Sequence, residues 1–457
     1  MFPYWEQLAN SLESCRFSRH STVSALRLIE CLTVWRWSES WAEDAPAQGQ
    51  EVRSTWRFGL ESRNIQTSFK GAAGWPDAYS VLFIMTKRTL AILVLGAMLS
   101  MAATSGFAAS RTEAISKAAQ SFLDLLDEEQ TVKATMPMDT DERATWSNLP
   151  IIMVRPAGVL IRDMTDEQKR AAHALMRATM SSQGYAKFAG IMVLEDLLHQ
   201  MEAQDESRSG PLADAFLATR DYGNYALSIF GNPNDVNWGW KIAGHHAAAN
   251  FTVSNGRVAF TPTFLGSSPM EVESGRYAGL MVLAHEGQYG IDLMTSLDSE
   301  QQKKATIAIE AADDVFEGPG RRKSLERFEG LSSKDLTEEQ SHLLHRLVGE
   351  YLHNADHDAA HAQMAAIEKV GWDKLWFSWR GPVDPNGVFY YRVHGPRVLI
   401  EYNRQNANHD HIIVRDPTND YGEDWLGKHY KESHPSMAEA MQNARRRAEA
   451  EATKDKK

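Results

Sequence analysis

The chain has 457 residues, of which 43% are hydrophobic and 24% are charged, and these proportions are those of an ordinary globular protein. Its formal net charge at pH 7 is −12, and because an acidic surface repels phosphate backbones, we expect no nucleic-acid partner. Both cysteines, Cys15 and Cys31, lie near the start, so the rest of the chain offers no thiolate to a metal or a substrate.

A secretory signal peptide is predicted over residues 85–108. A basic start, Met85–Arg88, precedes an apolar run, Leu90–Ala103, and the small residues Gly106 and Ala108 end the segment. The apolar run is shorter than the roughly 20 residues that a membrane span needs, which disfavours the alternative of a retained anchor. Cleavage after Ala108 predicts an exported bacterial protein, periplasmic or secreted, with no stable membrane span.

Residues 1–84 do not show a sustained helical or strand period, although they hold six of the 13 tryptophans. Because a signal peptide is read at the N-terminus, the simplest interpretation is that these residues follow a mis-called upstream start codon. The alternative is a cytoplasmic extension ahead of a membrane anchor.

The remaining chain is predicted to form a single α+β domain over residues 109–435, followed by a charged helical or disordered tail over residues 436–457. Apolar spacing predicts helices in its first third, where Thr165 opens one with an N-cap signature, and again after the middle. The predicted helices are residues 112–129, 165–181, 185–201, 277–297 and 336–370.

Strands are predicted in the middle and at the end of this domain. Asn255-Gly256 is a strong hairpin signal between His245–Val253 and Arg257–Phe264. Antiparallel strands are also expected at Val388–Val393, Arg397–Asn403 and Asp410–Val414. The predicted fold is therefore a helical N-terminal third, a central β-hairpin, further helices and C-terminal antiparallel strands.

The last predicted strand carries a candidate metal-binding pair. Side chains alternate along a strand, so His409 and His411 share one face with Arg415. Two imidazoles in this arrangement can chelate one ion. If the preceding strand pairs as a hairpin, Glu401 lies opposite His411 and Asn403 lies opposite His409, although a register slip would remove this match. Solvated or hydrogen-bonded histidines are the alternative.

Further histidines stand elsewhere in the chain. His245 and His246 point to opposite faces if they lie in a strand, so only one is expected to join a given site. His285-Glu286 lacks the second histidine of a zincin motif, and Glu286 remains a possible ligand or general base. His353, His357 and His361 repeat at helical spacing, but their polar surroundings favour a solvent-exposed face.

The motifs taken together resemble a bacterial family catalogued as domain of unknown function number 3500. They are Trp238-Gly239-Trp240, Gly244-His245-His246, Asn250-Phe251-Thr252, Thr261-Pro262 with Phe264-Leu265-Gly266, Tyr390-Tyr391-Arg392, Gly395-Pro396, Leu399-Ile400-Glu401, Asn408-His409-Asp410-His411, Arg415-Asp416-Pro417, Asn419-Asp420-Tyr421-Gly422 and His429-Tyr430. The resemblance covers roughly Phe122 to Tyr430. It implies a single-domain exported protein and supplies no activity.

The resemblance also implies a set of polar signature residues, and one assembled site is the simplest explanation for their spread along the chain. They are His245, His246, Asn250, Glu286, Glu401, His409, His411, Arg415 and Asp416. The family pattern usually lacks a histidine at His285 and lacks the repeat from His353 to His361, which makes both less favoured as sites.

Two functions from different classes are consistent with these residues. The favoured hypothesis is a metal-dependent enzyme, with a hydrolase preferred, in which Glu286 is the general base and Arg415 holds an anionic substrate group. Its predicted ligands to zinc, or less favourably to copper, are His245, His246, Glu401, His409 and His411. Its predicted contacts to a small-molecule substrate are Trp238, Asn250, Tyr391 and Asp416. The alternative is a non-catalytic periplasmic protein that binds a small molecule or a metal in a cleft lined by aromatic side chains.

Overall fold

The computed structural model describes residues 111–433, with side chains to residue 429. The predicted signal peptide, the segment before it and the predicted tail lie outside these residues, so their assignments and the domain boundaries stay predictions. Within residues 111–433 no helix is both long enough and apolar enough to cross a membrane.

Helices and strands alternate in blocks along the described chain. The helices are α1 (residues 111–123), α2 (Glu128–Ala134), α3 (Asp166–Thr179), α4 (Ser182–Gln204), α5 (Pro211–Leu217), α6 (Ala284–Ser296), α7 (Ser299–Ala305), α8 (Glu338–Leu352), α9 (His357–Val370) and α10 (Glu423–Ser433). Short 3-10 turns lie at Asp141–Arg143, Ile161–Asp163, Ser333–Asp335, Trp372–Lys374 and Asp420–Gly422.

The strands form one mixed sheet. They are β1 (Thr135–Met136), β2 (Val159–Leu160), β3 (Ala226–Phe230), β4 (Asn237–Gly244), β5 (Ala247–Ser254), β6 (Arg257–Ala259), β7 (Thr263–Ser267), β8 (Thr306–Ala308), β9 (Leu331–Ser332), β10 (Trp376–Arg380), β11 (Tyr390–Gly395), β12 (Val398–Asn406) and β13 (His409–Arg415). Their order is β1-β3-β4-β5-β7-β13-β12-β11-β10-β8, with β2 beside β3, β6 beside β5 and β9 beside β10. The predicted α+β class is confirmed.

Local sequence signals account for several element boundaries. Thr165 caps α3 in a reciprocal capping box with Gln168, as its N-cap signature predicted. Asn255 and Gly256 both have positive φ angles, which a tight hairpin turn of this type requires, and they join β5 to β6.

Three predicted helices are shorter or broken. The helix predicted over residues 112–129 is interrupted before Asp127, which caps α2. The helix predicted from residue 277 begins at Ala284, because a small hairpin precedes it in which Val272 and Leu280 are hydrogen-bonded. The long helix predicted to residue 370 breaks between α8 and α9, where Asp356 caps the second helix.

Candidate metal centre

Three imidazoles from two separate hairpins converge on one point. Nε2 of His409 lies 3.0 Å from Nε2 of His246 and 3.0 Å from Nε2 of His411. His246 is in the turn between β4 and β5, whereas His409 and His411 are on β13. His246 and His411 are buried and His409 is partly buried, so this three-histidine group is open to solvent on the His409 side.

The sheet order explains how the two hairpins meet. β7 lies between β5 and β13, and Gly266 on β7 pairs directly with His411. The N–H of Gly266 also donates to the carbonyl of His246 at 2.6 Å. A side chain at Gly266 would come within 2.7 Å of the His411 ring and 3.1 Å of the His246 ring. Because Gly266 has no side chain, it leaves the space in which the imidazoles of His246 and His411 approach one another.

Hydrogen bonds alone cannot account for the close approach of the three imidazole nitrogens. One imidazole nitrogen makes one in-plane hydrogen bond, yet Nε2 of His409 faces two other nitrogens at bonding distance. A tetrahedral ion with bonds of roughly 2.0–2.1 Å would hold such nitrogens about 3.3 Å apart. The two separations from His409 are close to that value and all three ligand atoms lie within 4.8 Å of one another, so the three imidazoles fit a shared divalent cation.

The surroundings of His246 and His409 favour their neutral forms. Burial, together with the charges of His411 and His245, lowers the pKa of His409 to about 3. Burial and the neighbouring histidines also lower the pKa of His246 well below its usual value. Because metals bind the deprotonated ring, these lone pairs are available at neutral pH with little competition from protons.

Asp314 orients one of the three imidazoles. Nδ1 of His411 lies 2.8 Å from the Asp314 carboxylate, which directs Nε2 of the same ring towards the other histidines. Burial opposes ionisation of Asp314, but the hydrogen bond from His411 holds its pKa below the usual value. A carboxylate behind a ligating histidine fixes the tautomer and raises the basicity of the ring.

Asp314 belongs to a segment, residues 309–330, that we call the covering loop. Two and three residues further along it, the N–H groups of Phe316 and Glu317 donate to the carboxylate of Glu401 at 2.7 and 2.8 Å. Tyr390 donates its hydroxyl to the same carboxylate at 2.7 Å. Glu401 therefore anchors the covering loop to the sheet beside Asp314.

A second group of possible ligands comprises Glu195, His245 and His246. Nδ1 of His245 lies 2.5 Å from the Glu195 carboxylate, and the rings of His245 and His246 stack at 3.7 Å. The guanidinium of Arg220 lies 2.9 Å from the same Nδ1 and 3.7 Å from Glu195. This cation already neutralises the carboxylate, so we interpret Glu195 and His245 as support for the His246 ring and not as a second metal site.

The predicted positions of His245 and His246 need correction. They are not the start of a strand but a two-residue turn, in which His246 has a φ of 62°. A turn at the end of a hairpin allows both rings to lie at the same end of the sheet. The reason for the expectation, opposite faces of a strand, is therefore wrong, although only His246 of the pair belongs to the three-histidine group.

The predicted register of the C-terminal hairpin is also wrong. Asn403 pairs with His411, and Glu401 pairs with Ile413. The observed pairing differs from the predicted one by two residues, and β12 continues to Asn406 with an irregularity between Arg404 and Asn406. Glu401 consequently binds the covering loop and does not belong to the three-histidine group.

Two further predicted site residues lie on the opposite face of the sheet. Tyr391 pairs with Tyr402 and Tyr402 with Ile412, so these side chains share the face that His411 does not occupy. Tyr391 donates its hydroxyl to the carbonyl of Glu286 at 2.7 Å. The Glu286 carboxylate is fully buried and pairs with Lys187 at 2.8 Å. Glu286 is thus not placed to act as a base at the histidines.

The other predicted substrate contacts serve the framework. Trp238 is fully buried in the main hydrophobic core. Asn250 donates to the carbonyl of Pro262 at 2.9 Å. Asp416 accepts from Arg397 at 2.7 Å, and Arg415 donates to Asp420 at 2.7 Å and to the carbonyl of Glu317 at 2.9 Å. None of these four side chains is in the three-histidine group.

Sequence reasoning missed the residues that support the imidazoles. Glu195 interrupts the apolar run of residues 191–198, and it is buried in the structure. Because a buried charge needs a partner, an acidic residue in such a run was a signal for a buried polar contact. Asp314 and Arg220 stand in irregular segments without a periodic pattern. Gly266 belongs to a quoted motif, but its role depends on the pairing with His411, which the sequence does not specify.

Comparisons with known proteins identify the family without an activity. The family model described as "Protein of unknown function (DUF3500)" matches residues 108–423. No curated protein and no solved structure matches the chain. The match covers well over half of the sequence and confirms the predicted resemblance, whereas a bacterial origin stays a prediction. The chain belongs to this family of proteins of unknown function.

Proposed function

We propose that this chain is a metal-dependent enzyme, with a hydrolase favoured, whose ion is held by His246, His409 and His411. The observation that carries the proposal is the position of Nε2 of His409, which lies 3.0 Å from Nε2 of His246 and 3.0 Å from Nε2 of His411. Three histidine ligands with a further position open to solvent are typical of catalytic zinc sites. Zinc is therefore the favoured ion, and copper is less favoured because residues 109–457 contain no cysteine for the thiolate ligand of a blue-copper site.

The residues around the imidazoles have distinct roles in this proposal. When bound, a divalent ion would supply a Lewis acid that lowers the pKa of a bound water to about 7. Asp314 holds the His411 ring in the ligating orientation, and the stacked ring of His245 holds His246. The partly exposed His409 marks the side from which a substrate would approach.

The experiment combines metal loading with a search for turnover. Protein stripped with a chelator is titrated with zinc, cobalt, manganese and copper and then assayed with chromogenic carboxylate-ester, phosphoester and peptide substrates. We expect binding of one equivalent and turnover that requires the metal and is lost in His411→Ala. If no ion binds, the proposal is wrong. Metal binding without turnover across the panel would favour the alternative, a non-catalytic metal-binding protein.

We also propose that the enzyme works outside the cytoplasm. The support is the basic, apolar and small-residue succession of residues 85–108. N-terminal sequencing of protein purified from its native source is expected to begin at Ala109. A chain that begins at Met1, or one that retains residues 85–108, would contradict cleavage.

A further inference from the structure

A cavity lies under the covering loop, away from the three-histidine group. It has a volume of about 420 Å³, within the range typical of small-molecule sites. Its walls come from the second half of the covering loop and from the ends of β11, β12 and β13. His411 and Arg415 are four residues apart on β13, so about 13 Å of strand separates the cavity wall from the nearest metal ligand.

A buried histidine in this cavity has an unused nitrogen. His394 is only 5% exposed, and its Nδ1 has no hydrogen-bond partner. Burial lowers the pKa of His394 to about 4, so the ring is neutral at pH 7. The backbone of Arg327 also interacts with the ring. When the ring proton is on Nε2, Nδ1 is a free acceptor, and a buried acceptor without a donor is unfavourable.

The charged residues of the cavity divide into paired and unpaired groups. The guanidinium of Arg415 pairs with Asp420 at 2.7 Å, and Arg322 pairs with Glu423 at the same distance. Among the described residues, Lys323 and Glu326 have no partner in an ion pair, and both line the cavity. The cavity therefore offers one uncommitted cation, one uncommitted anion and one buried acceptor.

The rest of the lining includes apolar side chains. Leu325 comes from the covering loop, Leu399 from β12 and Pro417 from the segment after β13. Leu399 is 2% exposed, so its side of the cavity is shielded from water. An aliphatic group placed there would gain by burial.

We propose that this cavity binds a small α-amino acid with an aliphatic side chain. Its ammonium group would donate to Nδ1 of His394 and to the Glu326 carboxylate, and its carboxylate would pair with Lys323. The side chain would lie against Leu325 and Leu399. Each polar group that the cavity leaves uncommitted then has a complement on a single zwitterion.

The first experiment compares leucine with two analogues that each lack one charged group. Calorimetric titration of the full-length protein is performed with leucine, isoamylamine and 4-methylpentanoate. We expect leucine to bind and each analogue to bind at least about tenfold more weakly, since one charge-assisted interaction is lost. Alanine, valine and isoleucine are titrated in the same way. If neither leucine nor any of these three binds at about 10 mM, a concentration that detects millimolar affinity, the proposal is wrong.

Variants then assign the binding to this cavity. Lys323→Gln should weaken leucine binding by about tenfold or more while leaving isoamylamine unchanged, and Lys323→Arg should retain binding. Glu326→Gln should likewise weaken leucine binding, but it should leave the binding of 4-methylpentanoate unchanged. Both positions are exposed, so folding is not at risk. Leucine affinity that is unchanged in both variants, or that disappears in His411→Ala, would place the binding elsewhere and overturn the proposal.

Discussion

Gly266 lies directly opposite His411 in the antiparallel pair of β7 and β13, and the space left by its missing side chain admits the His246 ring. This relationship allows a turn of one hairpin and a strand of another to present their imidazoles to the same point. The strand between them contributes no side chain where the rings meet.

The first prediction concerns this glycine. Gly266→Ala should weaken zinc binding by at least about tenfold, because its Cβ would force the rings of His411 and His246 away from ligating geometry. Competition titration with a chromogenic chelator measures the change. Gly427→Ala, on α10 with open space around it, is the matched control and should bind zinc like the parent. Equal affinities in both variants would show that the rings do not share an ion.

The second prediction concerns the carboxylate behind His411. Asp314→Asn keeps the shape of the side chain but removes its charge, so zinc affinity should fall by about 10- to 100-fold. The neighbouring Asp313 is exposed, and Asp313→Asn should leave the affinity unchanged. Both variants are expected to unfold at similar denaturant concentrations. A parent-like affinity in Asp314→Asn would contradict the orienting role of this carboxylate.

The third prediction separates Glu286 from the metal centre. Because its carboxylate lies on the other face of the sheet and pairs with Lys187, Glu286→Gln should retain full zinc stoichiometry and affinity. Its melting temperature is expected to fall, since a buried ion pair loses one partner. Metal analysis of the purified variant is the measurement. Loss of zinc from a variant that is still folded would restore Glu286 as a ligand.

The fourth prediction is a pH dependence of the metal-free protein. The folded pKa of His409 is about 3 and that of His246 is also lowered, whereas both have the usual value of 6.5 when unfolded. As the pH falls, these two histidines are protonated in the unfolded chain before they are protonated in the folded protein. Their contribution to stability is therefore full above pH 6.5 and is lost as the pH falls below it. Urea midpoints at about pH 7 and pH 5 measure the loss, which should be smaller in His409→Gln. A midpoint that rises on acidification would contradict the assigned burial.

Much of the fold was predictable because its signals are local. The capping box at Thr165 and the Asn255-Gly256 turn were read correctly from short patterns. The broken helices were not, because apolar spacing continues through residues 353–356 while Asp356 starts a new helix there. The register of β12 and β13 depends on an irregularity near Asn406 that has no clear sequence signature.

The site was predictable only in part, for a related reason. The histidines stand out as residue types, but the roles of Glu401 and Arg415 depend on which partners the covering loop brings to them. Tyr391 and Glu286 both belong to the family pattern, yet strand alternation places Tyr391 on the other face of the sheet, where it contacts Glu286 on α6. Polar residues in a common pattern therefore need not form a common site.

The most direct test of the metal centre is X-ray absorption at the zinc edge on protein reconstituted with one equivalent of zinc. We expect about three nitrogen donors at roughly 2.0–2.1 Å with imidazole scattering. This signal should be lost in His411→Ala but not in His361→Ala, which changes an exposed histidine on α9. If zinc does not bind, or if its coordination is the same in His411→Ala, then His246, His409 and His411 do not hold the ion.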